Sequence, residues 1–134
     1  MSPTDIKLVE CSIINITFNH NPKPKGQGVV RVDYGPLSFQ YGAGFGGDSS
    51  RHGVVVSAEP VVTGVRDDKA DENEFLLKIE MRMIYTYDKI PTDHVEVISN
   101  NTWYFTSLLR AYFKFYAESI MSKSSFQGVD LPYN

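Results

Sequence analysis

The sequence has 134 residues, 42% of them hydrophobic and 22% charged, with a formal net charge of −3. That length fits one domain, and the apolar share is enough for a core and too high for a disordered chain. The acidic balance argues against a nucleic-acid-binding face, a single cysteine excludes an intrachain disulfide, and no apolar run approaches the ~20 residues of a membrane span.

Met1-Ser2-Pro3-Thr4-Asp5 lacks the basic start and apolar run of a signal peptide, which points to the cytoplasm. In that compartment the sequons at Asn15 and Asn100 carry no weight.

Residues 6–19 read as a first strand, with Ile6, Leu8, Ile14, Ile16 and Phe18 on one face and Val9, Cys11 and Ile13 on the other. Pro22, Pro24, Gly26 and Gly28 then break the pattern. A second strand is expected over 29–41, with a bulge or bend at Gly35-Pro36. Residues 42–50 form a glycine-rich loop. A third strand covers 52–65, bent or at an edge at Pro60, and 66–74 is a charged turn.

The fourth strand is the clearest. Phe75, Leu77, Ile79, Met81, Met83, Tyr85 and Tyr87 alternate with Lys78, Glu80, Arg82 and Thr86, as expected of a strand with one buried face and one wet face. After Pro91, residues 99–102 offer N-cap side chains for a helix over about 103–123. Its polar stripe is Thr106, Arg110, Lys114, Glu118 and Ser122, spaced four apart. The remaining arc, rich in aromatics, is wider than one sheet face needs, so part of it is expected to meet another subunit or a ligand. A short, partly apolar tail follows at 126–132. The order of elements gives a single α+β domain over 1–134: a four-stranded antiparallel sheet with one long C-terminal helix packed on it.

No catalytic constellation emerges. His20, His52 and His94 are not spaced as ligands on one element. Cys11, among Val9 and Ile13, reads as a small buried hydrophobe, since nothing near it in sequence would lower its pKa. The loop through Gly42, Gly44, Gly46 and Gly47 has neither the Lys-Ser/Thr nor the following helix of a phosphate cradle and reads as a hairpin loop. Asp67, Asp68, Asp71, Glu72 and Glu74 lack the spacing of a calcium loop. Lys23 and Lys25 make only a small basic linker. The chain is expected to be no enzyme and to carry no metal or cofactor.

Two regions resemble the SecB export chaperones. In that family a long strand precedes a helix carrying a Tyr and, two places later, a basic residue; a Phe and an alternating hydrophobic tail follow. Tyr112, Lys114, Phe126, Val129 and Leu131 stand at those positions, and Ile16-Thr17-Phe18 before Asn21-Pro22 is similar to the family's Ile-Ser-Phe strand end and proline turn. The likeness covers the last third well, the first twenty residues moderately and 29–65 poorly. Ala111 stands where the family has proline, Phe115 where it has an acid, and nothing up to Asn134 matches its second C-terminal helix. Asn15 and Asn19 replace the acids that dock the zinc-bearing tail of SecA, which weakens electrostatic docking of that partner.

The resemblance implies an ATP-independent holdase, a dimer or tetramer of like chains, that grips unfolded polypeptide in an aromatic-lined groove. The client is either general, as in export, or dedicated, such as an antitoxin. Adaptable apolar side chains suit that task. Met81, Met83, Trp103, Tyr104, Phe105 and Tyr112 are the candidates, as groove lining or as the floor beneath it, with ordinary core as the alternative for each. Two further readings stand beside this one: a structural subunit whose apolar helix face is consumed in a fixed oligomer, and a small-molecule pocket between sheet and helix.

Overall fold

A computed structural model describes residues 1–20, 28–66 and 69–123. After a 3-10 turn at Pro3–Asp5, the elements are β1 (Ile6–His20), β2 (Gly28–Asp33), β3 (Ser38–Ala43), β4 (His52–Ala58), β5 (Val61–Arg66), β6 (Lys69–Tyr87), α1 (His94–Asn100) and α2 (Thr102–Met121). All strand pairings are antiparallel, and the two helices complete an α+β domain.

The expected four strands become six because the second and third each break. At the first break the Gly35 N–H donates to Asp33 Oδ1 at 3.0 Å, and Gly35 takes a φ of +65° that other residues resist. At the second, Glu59-Pro60 separates β4 from β5, since proline supplies no ladder N–H. The bend stays tied to the sheet by the Ile79 N–H, which donates to the Pro60 carbonyl at 3.1 Å.

β6 is the spine. One edge pairs with β1 along its length, from Ile6 opposite Tyr87 to His20 opposite Phe75. The other edge pairs with β4 and then β5, and these in turn pair with β3 and β2. Alternate β6 residues from Phe75 to Tyr87 all point into the core, each at most 3% exposed. The strand begins at Lys69, so much of the expected charged turn is ladder backbone. Residues 67–68, like the expected tail at 126–132, lie outside the described residues.

β1 departs most from simple alternation. Its register slips between Leu8 and Glu10 and again between Ile13 and Asn15, so Val9 and Ile14 are bulged residues. Each bulge resets the period of two. Cys11 and Ile13 therefore face the core side, opposite Met83 and Met81, and Ile14 leaves the face it was expected to share with Ile6 and Leu8.

Two helices, not one, cover the core face. The short α1 arises after Pro91, with Asp93 as N-cap: its Oδ1 accepts from the backbone N–H groups of Val95 and Glu96. Asn101 ends α1 and begins α2, and its side chain donates to the Val97 carbonyl at 2.8 Å and the Met1 carbonyl at 3.3 Å. α2 buries Phe105, Leu109, Phe113, Ala117 and Met121, a row spaced by four. Phe105 meets Phe39 and Tyr85 edge-on at 5.6 and 4.8 Å between ring centres, and Phe113 meets Tyr34 at 5.7 Å.

Candidate functional site

α2 runs along β6 in the same direction as β1, and its sides differ. Toward the β2–β3 edge lies the charged row: Arg110 sits 4.8 Å over the Tyr34 ring, and Lys114 Nζ meets Glu118 Oε2 at 2.9 Å. Of the polar stripe, Thr106, Arg110, Lys114 and Glu118 are half-buried and Ser122 is exposed; the outward ridge is Trp103, Ser107, Phe115 and Ser119. Toward β1 lies an uncharged row of Tyr104, Leu108, Tyr112, Tyr116 and Ile120, all partly buried against the core.

That row faces a second one on β1: Ile6, Leu8, Cys11, Ile13, Ile16 and Phe18, which stand opposite buried β6 residues and so share the core face. β6 is fully covered beneath them, so the two rows bound a shallow apolar trough whose rims alone reach solvent. It is closed at one end, where the Tyr104 hydroxyl donates to the Ile6 carbonyl at 3.4 Å. Midway, the Tyr116 hydroxyl lies beside the Cys11 thiol. On the β1 side, Ile13 and Ile16 are 38% and 43% exposed although their β6 neighbours Met81 and Ile79 are fully covered. Among the described residues, β1 pairs on one edge only, so its other edge presents free backbone donors and acceptors beside the trough.

The six expected residues separate into three groups. Met81, Met83 and Phe105 are fully buried and form the floor and core. Tyr104 and Tyr112 line the helix side of the trough. Trp103 lies on the outward ridge, 62% exposed. Cys11, Ile13, Ile16, Leu108, Tyr116 and Ile120 complete the trough and were not among the expected six. Spacing by four from Tyr104 would have found the helix members.

The chemistry of this region is containment. Burial pushes the Cys11 thiol up, outweighing the nearby Tyr116 hydroxyl that pulls it down, so it is a protonated, weakly nucleophilic group at neutral pH. The Tyr116 phenol is pushed up to about 12, by the adjacent Cys11 and then by burial. Elsewhere, His52 and His94, distant in sequence, meet at Tyr41: the Tyr41 hydroxyl and His52 Nδ1 are hydrogen-bonded, and the His94 ring stacks on Tyr41 at 4.1 Å. Among the described residues no group of three or more His, Cys, Asp or Glu is placed to hold a metal ion, and no helix is long and apolar enough to cross a membrane. The glycine-rich segment joins antiparallel β3 and β4 through a 3-10 turn at Phe45–Gly47, as a hairpin loop does.

No family model matches the sequence, and no curated protein does. Among solved structures the fold is similar to that of the Mycobacterium tuberculosis SecB-like chaperone Rv1957, in complex with a ChAD peptide from the Rv1956 HigA1 antitoxin. The TM-score is 0.61 at 13% sequence identity, covering 97% of this chain and 91% of that one. With its β1-flanked spine and overlying α2, the chain has a SecB-like fold.

Proposed function

We propose that this protein is an ATP-independent holdase of the cytoplasm that keeps non-native polypeptide soluble by binding it in the trough between β1 and α2. The observation that carries this reading is the trough itself: two facing apolar rows beside an open strand edge, with isoleucines left exposed above a closed core. Apolar surface of that kind suits binding with little sequence demand. Met81, Met83 and Phe105 act as the rigid floor, Tyr104 and Tyr112 as lining, and Trp103 as an anchor on the outer lip. The mycobacterial neighbour's complex with an antitoxin peptide supports a dedicated client over general export. Asn15 and Asn19, both on the outer face of β1 opposite Glu80 and Leu76, support the same choice, since they offer SecA no negative charge.

A second reading is favoured by Trp103 and Phe115, which are 62% and 69% exposed on the ridge of α2. Two such aromatics suit a helix-to-helix contact between copies of the chain. In that reading the protein is a dimer or tetramer whose assembly role needs no client. Suppression of aggregation of a urea-denatured model protein, without nucleotide and with oligomer size read by light scattering, separates the two. The holdase reading expects suppression near equimolar ratio that Tyr112→Ser weakens at unchanged oligomer size. An intact oligomer that suppresses nothing contradicts it.

A further inference from the structure

Four ring side chains that lie far apart in the sequence come together where α1 meets the sheet. Tyr41 on β3 and His52 on β4 lie diagonally across their ladder, on the core face that the fully buried Val54 marks. The Tyr41 hydroxyl and His52 Nδ1 are hydrogen-bonded, and the two ring centres stand 5.6 Å apart. His94, in the first turn of α1, stacks on Tyr41 at 4.1 Å. Tyr87 closes the group: one step beyond the Gly53–Thr86 pair, the β4–β6 register sets it opposite His52. Tyr87 is 3% exposed, and its buried hydroxyl has no hydrogen-bond partner among the described residues. Burial and then the Tyr41 phenol push its ionisation up to about 12, so the two hydroxyls lie within reach of each other's charge. A buried hydroxyl without a partner is costly to keep, and its retention asks for a partner from outside the chain.

We infer that this cluster is a site for zinc or a like late first-row divalent cation, held by His52, His94, Tyr41 and Tyr87 and clamping α1 to the end of the sheet. Neutral imidazole nitrogens are common ligands of such ions, and the phenol oxygens stand where an acid or a cysteine stands in other sites. On binding, the O–H bond of each ligating phenol breaks, its electron pair goes to the metal, and the proton leaves to solvent. The charge of the ion reverses the burial effect that otherwise keeps these phenols neutral. Between Tyr41 and His52 the ion takes the place of the proton they share; bonds of about 2 Å at a tetrahedral angle set that oxygen and nitrogen roughly 3.3 Å apart. His94, stacked on the same ring, brings a nitrogen to that point by a turn about its side-chain bonds. Tyr41, His52 and His94 are half-buried, which leaves the ion a way in, and the buried Tyr87 lies behind them. The inference does not depend on what the trough binds.

Calorimetric titration of ZnCl2 into the metal-free full-length protein tests this, with the visible absorption of bound Co2+ as a reading of coordination geometry. One ion per chain should bind, with a heat that depends on the buffer because protons are released, and with an affinity that rises from about pH 6 to 8. Tyr41→Phe, His94→Phe and Tyr87→Phe each keep a ring and remove the donor atoms. Each should weaken binding by about tenfold or more, whereas His20→Ala should leave it within about twofold. Tyr87→Phe should also raise the urea midpoint of the zinc-free protein, because the orphaned hydroxyl is gone, while losing the gain that zinc gives the parent chain. No binding at millimolar ZnCl2, or an affinity that the ring-preserving variants leave unchanged, overturns the inference. A Co2+ spectrum of an octahedral, water-rich ion overturns it as well.

Discussion

The Tyr116 hydroxyl lies beside the Cys11 thiol and so brings the fourth turn of α2 against β1. The contact spans the trough next to the exposed Ile13. It also joins two residues whose ionisation the fold opposes, which makes stability sensitive to alkali.

Tyr116 and Tyr87 are both pushed up to about 12, the first by the adjacent Cys11 and then by burial, the second by burial and then by Tyr41. Burial holds Tyr85 higher still. Unfolded tyrosines ionise near pH 10. Above that pH the unfolded chain has released protons that the native chain retains, so stability is intact below about pH 10 and falls as pH rises toward about 12. Urea midpoints measured from pH 8 to 11.5 should be level at first and then drop, less steeply for Tyr116→Phe. A level profile throughout contradicts the assignment.

Gly64 on β5 pairs with Phe75 on β6, and a Cβ at position 64 would stand 2.2 Å from the Phe75 ring. Gly64→Ala should therefore displace that ring from the core and cost roughly 1–3 kcal/mol. Gly64→Ala with Phe75→Leu should recover part of the loss. Denaturant unfolding of the three variants checks both statements, and an unchanged midpoint in Gly64→Ala contradicts the first.

Met81 and Trp103 were expected together in one site, and they separate cleanly by mutation. Met81 is fully buried between α2 and the sheet, so Met81→Ala should cost about 2–5 kcal/mol as a cavity forms. Trp103 is 62% exposed, so Trp103→Ser should change stability by no more than about 0.5 kcal/mol while weakening client binding or association. Equal destabilisation by both contradicts the placement.

These cases mark what the sequence could carry. β6 was legible because its period of two runs unbroken over a long, strongly apolar strand. The breaks in the second and third strands were marked by Gly35-Pro36 and Pro60, though proline signals a bend without saying that both halves keep pairing. The register of β1 was hidden because the bulged residues, Val9 and Ile14, are as apolar as their neighbours. α1 was missed because seven residues with three β-branched side chains give little helical signal, and only Asp93 marks its start. The site was half legible: spacing by four assigns an aromatic to a row of α2, but which row meets β1 depends on how the helix lies, and Tyr34 holding Arg110 on the far side is a tertiary fact.

Position-specific photo-crosslinking reads directly whether polypeptide occupies the trough. A benzophenone amino acid is placed at Tyr112, inside the trough, or at Gln40, on the outer face of β3, and each variant is irradiated with a denatured client. Occupancy of the trough gives client crosslinks at 112, competed away by excess unlabelled client, and none at 40. Crosslinks at 40 with none at 112 would contradict it and move the binding surface to the outer face of the sheet.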